Sequence, residues 1–278
     1  MAARQLQEFT KTLQELGNQL PIGVLSPDGK LSKELELGDW TMREEEKISE
    51  AREGRGVVQG RFTSQVLAAL ITKIGHHDFP GMRKWEDRLN AISGMFVADV
   101  LYTYIFIRQK FYGEKLKLQF ICPNCRKQQF NIVDLSEIDV LAVLADSIAD
   151  LREEVIFSRP VQMESGELRG VIVEPTRWSG IESLSPGSVS NRAKLLRSMF
   201  KVSCGGLIWA DPEKKIPSMI TDGMIDKLSK LDLESLSGVL DRVNRGPVLR
   251  AEVSCYEVGC QVATEVPIDW SYDGFFTN

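Results

Sequence analysis

The chain has 278 residues, 43% hydrophobic and 26% charged, and carries a formal net charge of −5. That length allows one large or two modest domains with a real core, and the acidic balance speaks against a protein whose main work is gripping nucleic-acid backbone. Five cysteines, an odd number, behind an opening MAARQLQEFTKTLQELG that lacks an apolar signal core, point to reduced thiols in a reducing compartment.

Residues 2–17 place Leu6, Phe9, Leu13 and Leu16 at helical spacing, and Gly17 ends the run. An amphipathic helix over 1–20 is expected, docked on its own domain or offered to a partner, so these four residues are candidate partner contacts. Pro27-Asp28-Gly29 marks a turn between two short strands. Thr41 and Glu44 have the spacing of a capping box, which opens a helix with acids in its first turns. FTSQVLAALITKIG reads as a short buried helix. From Trp85 to Phe111, apolar residues recur every three or four positions through Leu89, Ile92, Phe96, Val100, Tyr104 and Ile107, which predicts one helix of about seven turns. The apolar stretch 89–107 carries Asp99 at its middle, where an acid costs about 2.5–3.5 kcal/mol in a bilayer. A core helix, and no membrane span, is the expectation.

FICPNCRKQQF follows, with Cys122 and Cys125 between β-favouring runs. Farther on, two strands turn near Gly166, GIESLSPGSVS reads as a connection, and NRAKLLRSMFKV and MIDKLSKLDLESLSGVLDRVNRG read as helices. LRAEVSCYEVGCQVATEVPID then brings Cys255 and Cys260, again between strand-like runs. Four of the five cysteines thus form two doublets, each at the tip of a hairpin, with the C-x₂₋₄-C spacing of a tetrahedral zinc site. Pro123 stiffens the first turn, and Gly259 suits the second. Between the two doublets lie 129 residues, against about 15–20 in a compact ribbon, so the site would be a zinc ribbon split by a domain-sized insertion. A redox dithiol at Cys122 and Cys125, or unmetallated core thiols, are the alternatives. Cys204 has no doublet and reads as a small buried residue.

The expected architecture is α+β, mainly helical, with short β-hairpins and a split zinc-ribbon-like Cys₄ site binding one structural Zn²⁺. Its parts are the helix 1–20, an α+β part 21–134 with the first cysteine hairpin, an inserted part 135–248, and the second cysteine hairpin with a tail, 249–278, packed on the first. Nucleotide-binding glycine loops, the zinc-protease helix motif and the serine-hydrolase elbow are all missing. His76 and His77, the only histidines, sit beside Asp78 in a Gly/Pro-marked segment and read as a solvated loop pair. A non-enzyme is the stronger reading.

Several segments resemble the T4-type phage baseplate hub assembly family. These are ELELGDWTMREEEKI, KLKLQFICPNCRKQQFNIVDL, LSKLDLESLSGVLDRVNRGPVLRAEVSCYEVGC and the aromatic ending IDWSYDGFF. The resemblance runs through most of the chain in order and is strongest over 35–50, 100–135 and 228–276. It implies a non-enzymatic component or assembly factor of a contractile tail or related injection machine. Such a protein binds other baseplate, hub, spike or wedge proteins and no small-molecule substrate, in the host cytoplasm or the virion baseplate. Phe275 and Phe276 join the candidate partner contacts on this reading. A zinc-ribbon module that binds nucleic acid or transcription machinery is the alternative.

Overall fold

The computed structural model describes residues 7–53, 58–164, 166–182, 184, 192–211, 219–268 and 276. In chain order the elements are β1 (Gln7–Thr12), α1 (Leu13–Leu16), β2 (Gln19–Leu25), β3 (Leu31–Leu37), α2 (Met42–Glu53), α3 (Gln59–Leu70), β4 (Ile71–Ile74), β5 (His77–Asp78), α4 (Trp85–Ser93), α5 (Val97–Tyr112), β6 (Lys115–Ile121) and β7 (Gln128–Asp134). There follow β8 (Asp139–Leu144), β9 (Glu153–Met163), β10 (Gly166–Val173), α6 (Arg192–Ser203), β11 (Cys204–Trp209), α7 (Asp222–Ile225), α8 (Lys230–Val243), β12 (Gly246–Pro247), β13 (Arg250–Ser254) and β14 (Ala263–Pro267).

Helix makes up 39% and strand 35%, so the fold is α+β but not mainly helical, a correction to the sequence expectation. The difference lies in segments such as β1, β4, β8 and β11, whose backbones join antiparallel ladders. The largest correction is at the N-terminus. Gln7–Thr12 is a strand paired residue by residue with β8, and among the described residues of this segment only the single turn Leu13–Leu16 is helical. Thr12 closes that turn with a capping box to Glu15. A helix this short is marginal alone, whereas β8 offers a full row of backbone partners.

Two hydrophobic clusters organise the molecule. The larger gathers Leu13, Leu16, Leu20, Leu35, Val66, Leu67, Tyr102, Tyr104 and Leu135, and takes in Ile268 and Phe276 from the C-terminal part. The second lies wholly within Val155–Val243, where α6, α7 and α8 cover the sheet β11-β10-β9. β8 does not belong to the insertion, because it pairs with β1 on one side and β12 on the other.

The long helix expected from Trp85 to Phe111 is broken at Gly94–Phe96. The break is made by a strap from the insertion: Val97 donates its N–H to the Thr176 carbonyl at 2.9 Å, and Trp178 donates its own to the Met95 carbonyl at 2.8 Å. Trp178 itself is buried in the larger core and its indole N–H reaches Ser64 Oγ at 2.8 Å. Backbone committed to that strap cannot also serve a helix ladder.

Asp99 is fully buried near the start of α5, and its role is local. β2 leaves register with β3 between Gln19 and Val24. Gly23 has φ +108° there, and a Cβ would lie 2.9 Å from the Ser32 carbonyl oxygen, so only glycine fits. The N–H groups this irregularity frees are taken by Asp99: Ile22 donates to Oδ1 at 2.9 Å and Gly23 to Oδ2 at 3.1 Å. Lys33 supplies the opposite need by donating to the carbonyls of Pro21 and Val143. Burial pushes the Asp99 carboxyl up to about 7, against the pull of the two N–H donors and Lys33. The folded chain therefore holds a proton that the unfolded chain releases above about pH 4. Stability from this group is expected to fall as pH rises from about 4 to about 7, and Asp99→Asn should flatten that slope in urea titrations. Asp99→Ala should cost about 2–6 kcal/mol, because it strands two buried N–H groups at about 1–3 each.

Candidate metal centre

The two cysteine doublets sit on hairpins built alike. In the first, β6 and β7 pair from Lys115 with Asp134 to Ile121 with Gln128. At its tip Cys122 donates its N–H to the Lys127 carbonyl and Arg126 donates to the Cys122 carbonyl, both at 3.0 Å. In the second, β13 and β14 pair from Arg250 with Pro267 to Ser254 with Ala263. There Cys255 donates to the Val262 carbonyl and Cys260 to the Glu257 carbonyl, again at 3.0 Å. The residue after the last cysteine of each doublet is left-handed, Arg126 at φ +61° and Gln261 at +44°, and Gly259 has φ +85°. These turns aim both sulfurs of a doublet to one side.

The hairpins meet with all four sulfurs within 4.8 Å of one another. Cys122 Sγ lies 3.7 Å from Cys260 Sγ, and Cys125 Sγ lies 3.6 Å from Cys255 Sγ. A tetrahedral site with metal–sulfur bonds of about 2.3 Å requires sulfurs about 3.8 Å apart. The thiols therefore already have the spacing that a four-coordinate ion needs, and all are free of disulfides. Cys122 and Cys255 are buried, while Cys125 and Cys260 are half-buried. Leu118, Phe120 and Val253 pack beneath them, joined by Val133, Ala251 and Val266.

Side-chain amides steady the sulfurs. Gln129 is buried and bridges the hairpins: its Nε2 donates to Cys255 Sγ at 2.8 Å and its Oε1 accepts from the Tyr256 N–H at 2.9 Å. Asn124 Nδ2 donates to Cys260 Sγ at 3.3 Å. Lys127 and Glu257 pair at 2.7 Å between the two tips. The Asn124 amide foremost holds the Cys260 thiol down, to about 6. Cys125, although the Lys127 backbone N–H pulls it down, is pushed up to about 11 by desolvation and its thiol neighbours. The Cys125 thiol keeps its proton at neutral pH and must lose it to bind a cation, so affinity is expected to rise with pH.

The other candidate residues fall elsewhere. Leu13 and Leu16 are buried in the larger core, where they serve the protein's own fold, and Phe9 packs half-buried against the same core. Phe276 is also buried, in an aromatic cluster with Trp40, Tyr104 and Tyr112 at ring distances of 5.8, 5.0 and 5.4 Å. Its expected docking is thus intramolecular. Leu6 and Phe275 lie outside the described residues. The His76 and His77 rings lie 3.8 Å apart, and among the described residues the four cysteines are the only group spaced to hold a metal. Cys204 lies apart from them on β11, with its thiol turned to the Gly206 carbonyl. Gln129 and Asn124 were missed from the sequence. Asn124 stands inside the C-P-N-C turn and had a positional signal, whereas Gln129 is recognisable only once the two hairpins are seen together.

Comparison of the chain with protein-family models, with curated proteins and with solved structures gave no match. No helix among the described residues is long and apolar enough to cross a membrane.

Because the four sulfurs serve one centre, Cys122→Ser and Cys255→Ser should lower thermal stability to a similar degree and abolish stoichiometric metal binding, while Cys204→Ser should leave bound metal unchanged. Chelation should open the amides of β6, β7, β13 and β14 to hydrogen exchange together. Protection of α3 and α5 should persist, since their contacts lie in the larger core. Gln129→Ala should weaken metal affinity about 10–100-fold, the usual range for a residue that orients a ligand.

Proposed function

We propose that this protein is a zinc-braced, non-enzymatic structural or assembly component of a phage-type contractile-tail baseplate. The observation that supports the non-enzymatic part is the four-thiol cluster: its sulfurs could occupy all four positions of a tetrahedral ion, which leaves none open for water or substrate and so gives that ion a structural and not a catalytic role. An all-sulfur tetrahedral set suits zinc or iron and disfavours hard ions such as Mg²⁺ and Ca²⁺, and zinc is the ion of this reading. The baseplate part rests on the family resemblance over 35–50, 100–135 and 228–276, which includes both cysteine hairpins.

In this reading the protein works by shape. It presents surfaces to hub, spike or wedge proteins in the host cytoplasm and takes no small-molecule substrate. Zinc holds the C-terminal hairpin against the middle of the chain, so that surfaces built from distant segments keep one relative position. Deletion of the gene should leave tube and sheath proteins made but complete baseplates lacking. Affinity capture of the tagged protein during assembly should recover hub, spike or wedge subunits. Normal contractile particles in the deletion strain, or capture of RNA polymerase subunits instead, would contradict the assignment.

A further inference from the structure

Alternation along the first cysteine hairpin gives it two faces. Leu116, Leu118 and Phe120 turn inward. The opposite face carries Lys115, Lys117, Gln119 and Ile121, with Asp134, Ile132, Phe130 and Gln128 across the ladder from them in that order. Ile121 and Ile132 are each 66% exposed and Phe130 is 47% exposed. Phe130 and Ile132 are neighbours on one strand, and Lys117 Nζ lies 4.2 Å from the Phe130 ring centre. Covering such a side chain contributes about 1.5–3 kcal/mol. Among the described residues, no other strand joins β6 and β7, and none covers Ile121, Phe130 and Ile132 on this face.

The charge around these three side chains says what would cover them. The chain as a whole is at −5, yet this face holds Lys115 and Lys117, with exposed Arg126 at the turn. Its one acid, Asp134, is kept ionised by the N–H and hydroxyl of Ser136, at 3.0 and 2.6 Å, and stands across the ladder from Lys115, whereas Lys117, opposite Ile132 in the middle of the apolar patch, has no acid across from it. Two isoleucines suit apolar side chains, and only Phe130 could stack on a nucleic-acid base. The thiols lie at the hairpin tip and pack with the inward side chains Leu118 and Phe120, so an ion held there would stiffen the face without being part of it, which lowers the ordering cost of binding. We infer that the outer face of the first cysteine hairpin docks an acidic, apolar-bearing segment of a partner protein. The inference rests on the reading that this protein acts by binding other proteins, and it names the face and the chemistry of the contact.

The test uses the full-length, metal-loaded protein and three fluorescent probes: a short synthetic peptide alternating Glu with Leu and Phe, the same peptide with Lys for Glu, and a single-stranded oligothymidylate. The acidic peptide should bind about tenfold or more tighter than either of the others, a difference of about 1.4 kcal/mol. Ile132→Glu and Lys117→Glu should each weaken it about tenfold with bound metal unchanged. Should Ile132→Glu lose metal, Ile121→Ser, at the other end of the face, takes its place with the same expected loss. Equal binding of all probes, preference for the lysine peptide or the oligonucleotide, or insensitivity to these variants would overturn the inference. So would a dimer of the protein that Ile132→Glu dissolves, since a second copy would then be the occupant. If the acidic peptide binds as expected but no tail component is captured, the face stands and the baseplate assignment falls. If tail components are captured equally by the Lys117→Glu, Ile132→Glu variant, the assignment stands and the face falls.

Discussion

Four sulfurs from two hairpins must converge on one point, although Cys125 and Cys255 are 130 positions apart. Closing a loop that long costs about 4–5 kcal/mol of chain entropy, and a structural Cys₄ zinc site can contribute more than that. An ion bound there would not carry the whole cost, because the loop is closed a second time beside it. β12 pairs with β8, Val248 donates its N–H to the Asp139 carbonyl at 2.8 Å, and Ile268 reaches the larger core. These contacts bring the roots of the hairpins together, and the thiols then fix their tips. The centre therefore acts as a clamp on the hairpins more than as the keystone of the whole fold.

The same arrangement explains how the insertion is carried. Its own core, from Val155 to Val243, is separate from the larger one. It enters after β8 and leaves just before β12, and those two strands pair with each other. Its strap, Thr176–Trp178, adds backbone hydrogen bonds at the break between α4 and α5 and seats Trp178 in the main core. Asp99 plays the corresponding part on the other side of α5, holding the irregular stretch of β2. In each case an irregular backbone segment is tolerated because specific partners satisfy its polar groups.

The site was more legible in the sequence than the fold. Cysteine doublets announce themselves through spacing alone, since the turn that aligns two sulfurs is local. The turns at Pro27-Asp28-Gly29 and Gly166 were legible for the same reason. Elements that depend on distant partners were not. Leu6, Phe9, Leu13 and Leu16 have helical spacing, but pairing with the backbone of β8 makes Gln7–Thr12 a strand. The stripe from Trp85 to Phe111 is apolar on one side throughout, yet a strap more than 60 residues downstream interrupts it, and no periodicity could reveal that. Phe276 looked like an exposed anchor because nothing near it in sequence shows the pocket formed by Trp40, Tyr104 and Tyr112.

The account stands or falls on the metal centre. X-ray absorption at the zinc edge of the protein as purified is the most direct measurement. It should show one zinc per chain with four sulfur neighbours at about 2.3 Å and no nitrogen or oxygen in the first sphere. A metal-free protein with all five thiols reactive, or a zinc bound through nitrogen or oxygen ligands, would contradict it.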